Sequence, residues 1–171
     1  MGQPPLLPGK VYSGVLEKRI CRIVESRIQE VQCGFRPGHG TVDQLYNLSR
    51  VLEGAWAFVY MCFVDLEKAF DRVHREVLWG VLREYGMLEP LIGAVRFLYD
   101  RCQSFVRISG SKLDVFLVRL GLRHGCPLSP ILFIIFMDRI SRRDLRIGSL
   151  LFVEDVVLLA SLGHDLQLSL E

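Results

Sequence analysis

An apolar run with two adjacent carboxylates at its centre constrains this chain more than any other feature. The run extends from Leu150 to Ala160, and Glu154 and Asp155 interrupt it. Folded proteins rarely leave acids in such a run without a partner, because burying an unpaired carboxylate costs several kcal/mol. A β-hairpin would expose the acids at its tip, although Glu-Asp is poor chemistry for a two-residue turn. The other explanation is a hard-oxygen Mg²⁺ site held by two apolar strands. The run alone leaves both explanations open.

Length and composition limit the classes of protein that need to be considered. The 171 residues suit one domain or a piece of a larger one, and half of them are hydrophobic. The sequence has no long uncharged apolar run and no signal peptide, so we expect no membrane span and no secretion. An odd number of scattered cysteines argues against a disulfide framework. We therefore expect an intracellular protein, in the nucleus, the cytoplasm or both.

Hydrophobic periodicity predicts an α+β fold, in which helices pack on a small, largely antiparallel sheet. Helices are predicted at residues 9–29, 41–54, 75–85, 90–101, 130–141 and 165–171. A buried strand is predicted at 58–64, a hairpin at 104–110 and 112–120 with its turn at Gly110-Ser111, and a second hairpin around Glu154-Asp155. Residues 32–40 are predicted to form a loop because they are rich in Gly and Pro.

Three carboxylates fall where this topology could bring them together. Asp65 follows the predicted buried strand, and the apolar hairpin supplies Glu154 and Asp155. Neighbouring strands would place these acids side by side. Such a set of carboxylates provides the metal ligands that two-metal phosphoryl transfer requires. Phe70 could set an aromatic ring beside a bound sugar. The loop at 121–130 precedes a helix N-terminus, where backbone N–H groups favour phosphate.

Four segments in this order resemble the reverse transcriptases of LINE-type (non-LTR) retrotransposons. Residues 63–73, FVDLEKAFDRV, resemble the first palm motif of that family, and residues 121–133 resemble the second. Residues 152–155, FVED, resemble the catalytic [FY]-x-D-D box, and residues 32–44 resemble the fingers segment Q-x-G-F-R-x-G. Together they cover roughly residues 10–168.

The resemblance implies a role for each matching position. Asp65, Glu154 and Asp155 would be catalytic and hold two Mg²⁺ ions, with Mn²⁺ as the alternative. Phe70 would disfavour a ribose 2′-OH. The remaining positions would contact nucleotide or template: Arg36, His124, Gly125, Ser129 and Pro130.

The resemblance also implies a domain organisation. Residues 1–57 would be a partial fingers region, and residues 58–171 a ferredoxin-like palm, truncated after the catalytic hairpin and without a thumb. A palm without its covering helix would expose an apolar face, which a partner could cover.

The expected activity is RNA-directed DNA synthesis, extending the 3′-OH of a DNA primer on an RNA template with deoxynucleoside triphosphates. Departures from the family pattern lead us to expect an inactive or severely impaired chain: Glu154 replaces the first Asp of the box, His124 replaces Gln, and the expected palm lacks a thumb. The alternative is a non-catalytic retrotransposon remnant that at most binds nucleic acid or a partner protein. A nucleotidyl cyclase also uses paired carboxylates, but the motif at 121–130 argues against it.

Overall fold

Three antiparallel strands form the central sheet, in the order β1–β7–β6. The strands are β1 (Tyr60–Asp65), β6 (Gly148–Phe152) and β7 (Asp155–Ala160). A computed structural model describes residues 7–54, 59–100, 102–104, 107–108, 111–112, 116–144 and 148–169. Strand β7 is central, and Gln32 forms an isolated parallel bridge with Leu151 at the outer edge of β6. The segment that contains Gln32 therefore extends this edge of the sheet.

The described part of the chain contains six helices. They are α1 (Leu7–Val24), α2 (Thr41–Gly54), α3 (Arg75–Glu84), α4 (Glu89–Tyr99), α5 (Ser129–Asp144) and α6 (Gly163–Leu168). A 3₁₀ turn at Ala69–Arg72 follows β1. The prediction of helices with a small antiparallel sheet is confirmed. None of the described helices is both long enough and apolar enough to cross a bilayer.

The chain divides into two compact units, and neither unit is a continuous stretch of sequence. The first unit contains Met1–Arg27 and Phe70–Phe133, and the second contains Ile28–Ala69 and Ile134–Glu171. In the first unit α4 contacts both α1 and α3. In the second, α2 lies against β6 while α6 lies against β1 and β7. The assignment of residues 1–57 to fingers and 58–171 to palm stays a prediction.

The predicted hairpin after α4 is present in the first unit as two pairs of short strands. Strand β2 (Gln103–Ser104) pairs with β5 (Phe116–Leu117), and β3 (Arg107–Ile108) pairs with β4 (Ser111–Lys112). Ser111 of the predicted turn lies in β4, whereas Gly110 lies outside the described residues. Residues 118–120 were predicted as strand and are not part of one.

Two sequence-based expectations about these elements are wrong. Helix α1 ends at Val24 instead of near residue 29: Arg27 N–H donates to Val24 O (2.8 Å) in a tighter turn, and Gln29 N–H donates to the fully buried Asp138 carboxylate (2.9 Å). Strand β1 is not buried on both faces, since it pairs only with β7 among the described strands and Phe63 is 68% exposed. Both faces of β1 carry apolar side chains, so the sequence pattern did not reveal that the strand is not buried on both faces.

Candidate active site

Two of the predicted catalytic acids lie opposite each other at one end of the sheet. Asp65 is the last residue of β1, Asp155 is the first residue of β7, and the two are partners in the antiparallel register. Partners in an antiparallel pair project from the same face of the sheet. Both residues are exposed, and no hydrogen bond or ion pair engages either carboxylate in the described part of the chain. The register therefore juxtaposes two unpaired carboxylates.

The third acid, Glu154, lies in the turn of the β6–β7 hairpin. Phe152 and Asp155 are register partners, so the turn consists of Val153 and Glu154. The expectation that Glu154 and Asp155 both form the tip is therefore wrong for Asp155, which is already in β7. Val153 has φ +59°, although it is β-branched and buried. Such a residue rarely adopts positive φ and does so only where its surroundings enforce it.

The donor set fits a divalent cation in chemical type but is not gathered into a complete site. Carboxylate oxygens are the ligands that Mg²⁺ prefers, and Asp65 with Asp155 supplies two of them. No group of three His, Cys, Asp or Glu side chains among the described residues is close enough together to hold a metal ion. The expected cluster of Asp65, Glu154 and Asp155 is therefore not assembled in this conformation.

Gln32 supports the hairpin turn from the outer edge of the sheet. Its side chain has no solvent exposure, and its Oε1 accepts from the backbone N–H of Gly34 (2.9 Å) and of Val153 (3.2 Å). Its Nε2 is buried and has no hydrogen-bond partner among the described residues. An unpaired buried donor costs about 1–3 kcal/mol, so this arrangement tolerates a cost to keep the acceptor on the turn.

Arg36, predicted to contact template or nucleotide, lies in the same segment. It is buried, and its Nη1 donates to the carbonyl oxygens of Gln29 (3.0 Å) and Gln32 (2.8 Å). The guanidinium therefore holds the backbone that carries Gln32. Its contact with nucleic acid stays a prediction.

An apolar cavity of about 400 Å³ lies beside the two aspartates, within the second unit. Helix α2 contributes Leu45 and Leu48, and the sheet contributes Phe63 and Val157, with Asp65 and Asp155 also in the lining. No residue of α2 is buried. An apolar face that lacks its covering helix, and a partner that covers it, stay predictions.

In the first unit, the structure brings Phe70 and His124 together. Their ring centroids are 6.1 Å apart, and Phe70 stacks on Phe133 at 4.3 Å. His124 Nε2 lies 2.9 Å from Asp71 Oδ1, with both side chains largely exposed. Phe70, predicted to disfavour a ribose 2′-OH, and His124, which replaces the family's Gln, are thus neighbours. Their roles stay predictions.

Backbone hydrogen bonds join the 3₁₀ turn to the start of the loop at 121–130. Gly121 N–H donates to Val73 O (2.9 Å), and Leu122 N–H donates to Phe70 O (2.8 Å). Gly121 has φ +77°, and a Cβ atom there would lie 2.8 Å from the Asp71 backbone. Only glycine suits this position, because both the φ angle and the close approach exclude a side chain.

The end of the loop presents different atoms from those expected. Ser129 is 2% exposed, and its hydroxyl donates to Arg123 O (2.7 Å) and lies 3.1 Å from Tyr99 Oη. Since the Ser129 hydrogen is used by Arg123, Tyr99 donates to Ser129. Gly125 is exposed with φ +73°, and Pro130 is half-buried. A template contact at this loop is therefore open to Gly125 and Pro130 rather than to the Ser129 hydroxyl, and it stays a prediction.

Tyr99 predicts a loss of stability in strong alkali. Burial raises its pKa from 10.0 to about 12. Because the unfolded chain ionises first, stability is intact below pH 10 and falls as the pH rises to about 12. The fall from this group is at most about 3 kcal/mol. Tyr99→Phe should remove this part of the pH dependence in urea unfolding, whereas Tyr12→Phe, at an exposed site, should retain it. Retention of the full dependence by Tyr99→Phe would contradict the assignment.

A family comparison identifies the fold that carries these groups. The family model described as reverse transcriptase (RNA-dependent DNA polymerase) matches residues 5–171. The chain belongs to the reverse transcriptase family. Its relatives are polymerases of non-LTR retrotransposons, which confirms the resemblance found in the sequence motifs.

Individual reverse transcriptases align with most of the chain at moderate identity. It is 29% identical to the Pol polyprotein of retrotransposable element R2DM of Drosophila melanogaster, over 82% of this chain and 14% of that protein. It is 31% identical to the R2 Pol polyprotein of Nasonia vitripennis, over 87% and 16%. It is 29% identical to the RNA-directed DNA polymerase of mobile element jockey of Drosophila funebris, over 94% and 18%. The chain thus spans less than a fifth of the length of these relatives.

A solved structure shows the same fold at low sequence identity. Telomerase from Candida tropicalis, determined in complex with a fragment of telomeric RNA, superposes with a TM-score of 0.64 and 14% identity. The match covers 91% of this chain and 29% of that one. The chain therefore has a reverse transcriptase/telomerase-like fold.

Sequence reasoning missed the contribution of Gln32, Gly34 and Val153 to the active-site hairpin. Gln32 and Gly34 belong to the fingers motif, but the motif gave no reason to place them at the turn. The only available signal was a Val next to the acids of a presumed turn, where a β-branched residue is unfavourable. That signal indicates a supported turn but does not name the support.

Proposed function

We propose that this chain carries the nucleotidyl-transfer centre of an RNA-directed DNA polymerase, in a form with greatly reduced activity. The observation that carries the proposal is the register pairing of Asp65 with Asp155, which places the acids of two family motifs side by side. In the proposed reaction the 3′-oxygen of a primer bonds to the α-phosphorus of a deoxynucleoside triphosphate, and pyrophosphate leaves. In this proposal residues 58–171 form the palm and residues 1–57 form part of the fingers.

The protein's own residues would bind and orient the reactants. Asp65 and Asp155, with Glu154, would hold two Mg²⁺ ions or Mn²⁺. Bound cations would supply positive charge to the attacking and leaving oxygens. Phe70, stacked on Phe133, would limit room for a ribose 2′-OH.

Glu154 is the reason for the reduced activity. A Glu carries one methylene more than the family's Asp, which moves its carboxylate by about 1–1.5 Å. Catalytic geometry is sensitive to this scale, since a 1 Å misplacement can cost about 10²-fold in rate. We therefore expect no measurable primer extension by the native sequence with Mg²⁺.

Metal binding tests the centre without requiring activity. Titration of the full chain with Mn²⁺, followed by electron paramagnetic resonance of the free ion, should show binding that Asp65→Asn and Asp155→Asn each weaken at least about 10-fold. Glu53→Gln removes an exposed carboxylate of α2 and should leave the affinity unchanged.

Equal Mn²⁺ affinity in the native chain and both Asn variants would contradict the proposed centre. If RNA binding with a steep salt dependence persisted in that case, the chain would be a nucleic-acid-binding remnant instead.

A further inference from the structure

We infer that Gln32 is a positioning residue that fixes the Val153-Glu154 turn through its side-chain oxygen. The inference rests on the proposed function, because the turn carries one acid of the proposed centre and adjoins another. It gives the fingers-motif segment at residues 32–36 a role inside the active-site hairpin. Three features support it: the hydrogen-bond acceptor of Gln32, the strained backbone of Val153, and the attachment of the Gln32 backbone to the sheet.

The first observation concerns the chemistry of the Gln32 amide. Two backbone N–H groups, those of Gly34 and Val153, point at one side-chain atom, and only an acceptor can satisfy them. This fixes the orientation of the amide with Oε1 toward the turn. The Nε2 atom is then left buried without a partner among the described residues. The position therefore uses the carbonyl half of the amide, which a carboxylate would also provide.

The second observation concerns the turn itself. Val153 is held at φ +59°, a conformation that a β-branched residue avoids. Its side chain fits against Gly34, where a Cβ atom would lie 2.4 Å from Val153 Cγ2 and 2.5 Å from Val153 N. Gln32 and Gly34 thus act on the same turn residue: Gln32 accepts a hydrogen bond from Val153, and Gly34 has no side chain that would collide with it. Strain of this kind persists only where the surroundings enforce it.

The third observation is that Gln32 is itself rigidly attached to the sheet. Cys33 N–H donates to Leu151 O (3.1 Å), and Leu151 N–H donates to Val31 O (3.0 Å). Arg36 binds the Gln32 carbonyl oxygen from the other side (2.8 Å). The amide therefore reaches the turn from a backbone fixed to β6, the strand that leads into that turn.

The position of Glu154 follows from these contacts. Without the acceptor, the Val153 N–H would be buried and unpaired, and the turn would relax toward less strained φ values. Glu154 and the start of β7 at Asp155 would move with it. Gln32 therefore acts on the acids through the Val153 backbone and does not contact them.

Amide hydrogen exchange of the full ¹⁵N-labelled chain, followed by NMR, tests this inference. Gln32→Met keeps the length of the side chain but removes the acceptor. It should speed exchange at the Val153 amide by at least about 10-fold relative to the Leu158 amide in the central strand β7. A purely structural loss would speed exchange at both amides by the same factor. Gln32→Glu keeps an acceptor and should restore the Val153-to-Leu158 ratio.

Gln44 offers a matched control, because its Nε2 donates to Val31 O (3.2 Å) and not to the turn. Gln44→Met should leave the ratio at the native value, and only Gln32→Met should weaken Mn²⁺ binding. An unchanged ratio in Gln32→Met, or an equal change in Gln44→Met, would overturn the inference. Failure of the proposed function would instead appear as an Mn²⁺ affinity that Asp65→Asn does not change. Gln32 is intact in that variant, so the two failures are distinguishable.

Discussion

Glu154→Asp, combined with His124→Gln, is expected to produce measurable primer extension on an RNA template, through a rate about 10²-fold above that of the native sequence. The first change shortens the side chain by one methylene and returns the carboxylate to the position that the family motif specifies. The second restores an amide at the exposed position beside Phe70. The measurement is incorporation of a single deoxynucleotide by the full chain with Mg²⁺.

Two controls isolate the carboxylate as the cause. Glu154→Gln keeps the length of Glu without its charge and should show no more primer extension than the native chain. Asp65→Asn placed in the Glu154→Asp, His124→Gln background should abolish the gain, because Asp65 would be needed in any active form. If the double variant bound Mn²⁺ but showed no more extension than the native chain, the length of Glu154 would not be the cause.

Arg75→Ala is expected to lower the free energy of unfolding by about 3–4 kcal/mol, the largest stability effect that we predict. Arg75 is 8% exposed, and its guanidinium donates to three carbonyl oxygens. The distances are 2.8 Å to Gly121, 2.7 Å to Val118 and 3.0 Å to Leu120. The same group lies 5.0 Å from the centre of the Tyr99 ring. Removing it leaves three partly buried acceptors unpaired next to the loop at 121–130.

Urea unfolding of matched variants checks this prediction. Arg96→Ala removes an exposed arginine of α4 and should change stability by less than about 0.5 kcal/mol. Arg75→Lys should recover only a small part of the loss, because an ammonium cannot reproduce the planar fork that reaches three carbonyls. A loss in Arg75→Ala no larger than that in Arg96→Ala would show that the three hydrogen bonds contribute little.

The elements that sequence predicted well are those whose pattern is local. Helix α2 begins at Thr41 and ends at Gly54 as expected, and strand β1 ends at Asp65. The bounds of α2 follow from hydrophobic periodicity and from Gly54, and the end of β1 follows from the change from apolar residues to Asp65. The pairing of Asp65 with Asp155 could also be predicted from the sequence. The two residues belong to two family motifs on strands expected to be neighbours, which brings them to the same end of the sheet.

The features that sequence could not predict depend on contacts between distant residues. The segment after α1 is bound by Asp138, more than a hundred residues away, which accepts a hydrogen bond from the Gln29 N–H. The position of the turn depends on Gln32, which makes Val153 rather than Asp155 a turn residue. Arg75 was predicted only as the start of a helix, since nothing in its neighbourhood indicates three carbonyls around residue 120. Local patterns carry no information about such partners.

The interleaving of the two units has a consequence for how the protein is made and dissected. The chain passes between the units after Arg27, after Ala69 and after Phe133. During synthesis the first unit can close only once residues up to Phe133 have emerged, and the second can close only once β6 and β7 have emerged. Strand β1, with its exposed Phe63, must meanwhile remain without its pairing partner, and a partly synthesised chain of this kind is prone to aggregate. No single cut separates the units, because each consists of two stretches of sequence with a stretch of the other between them.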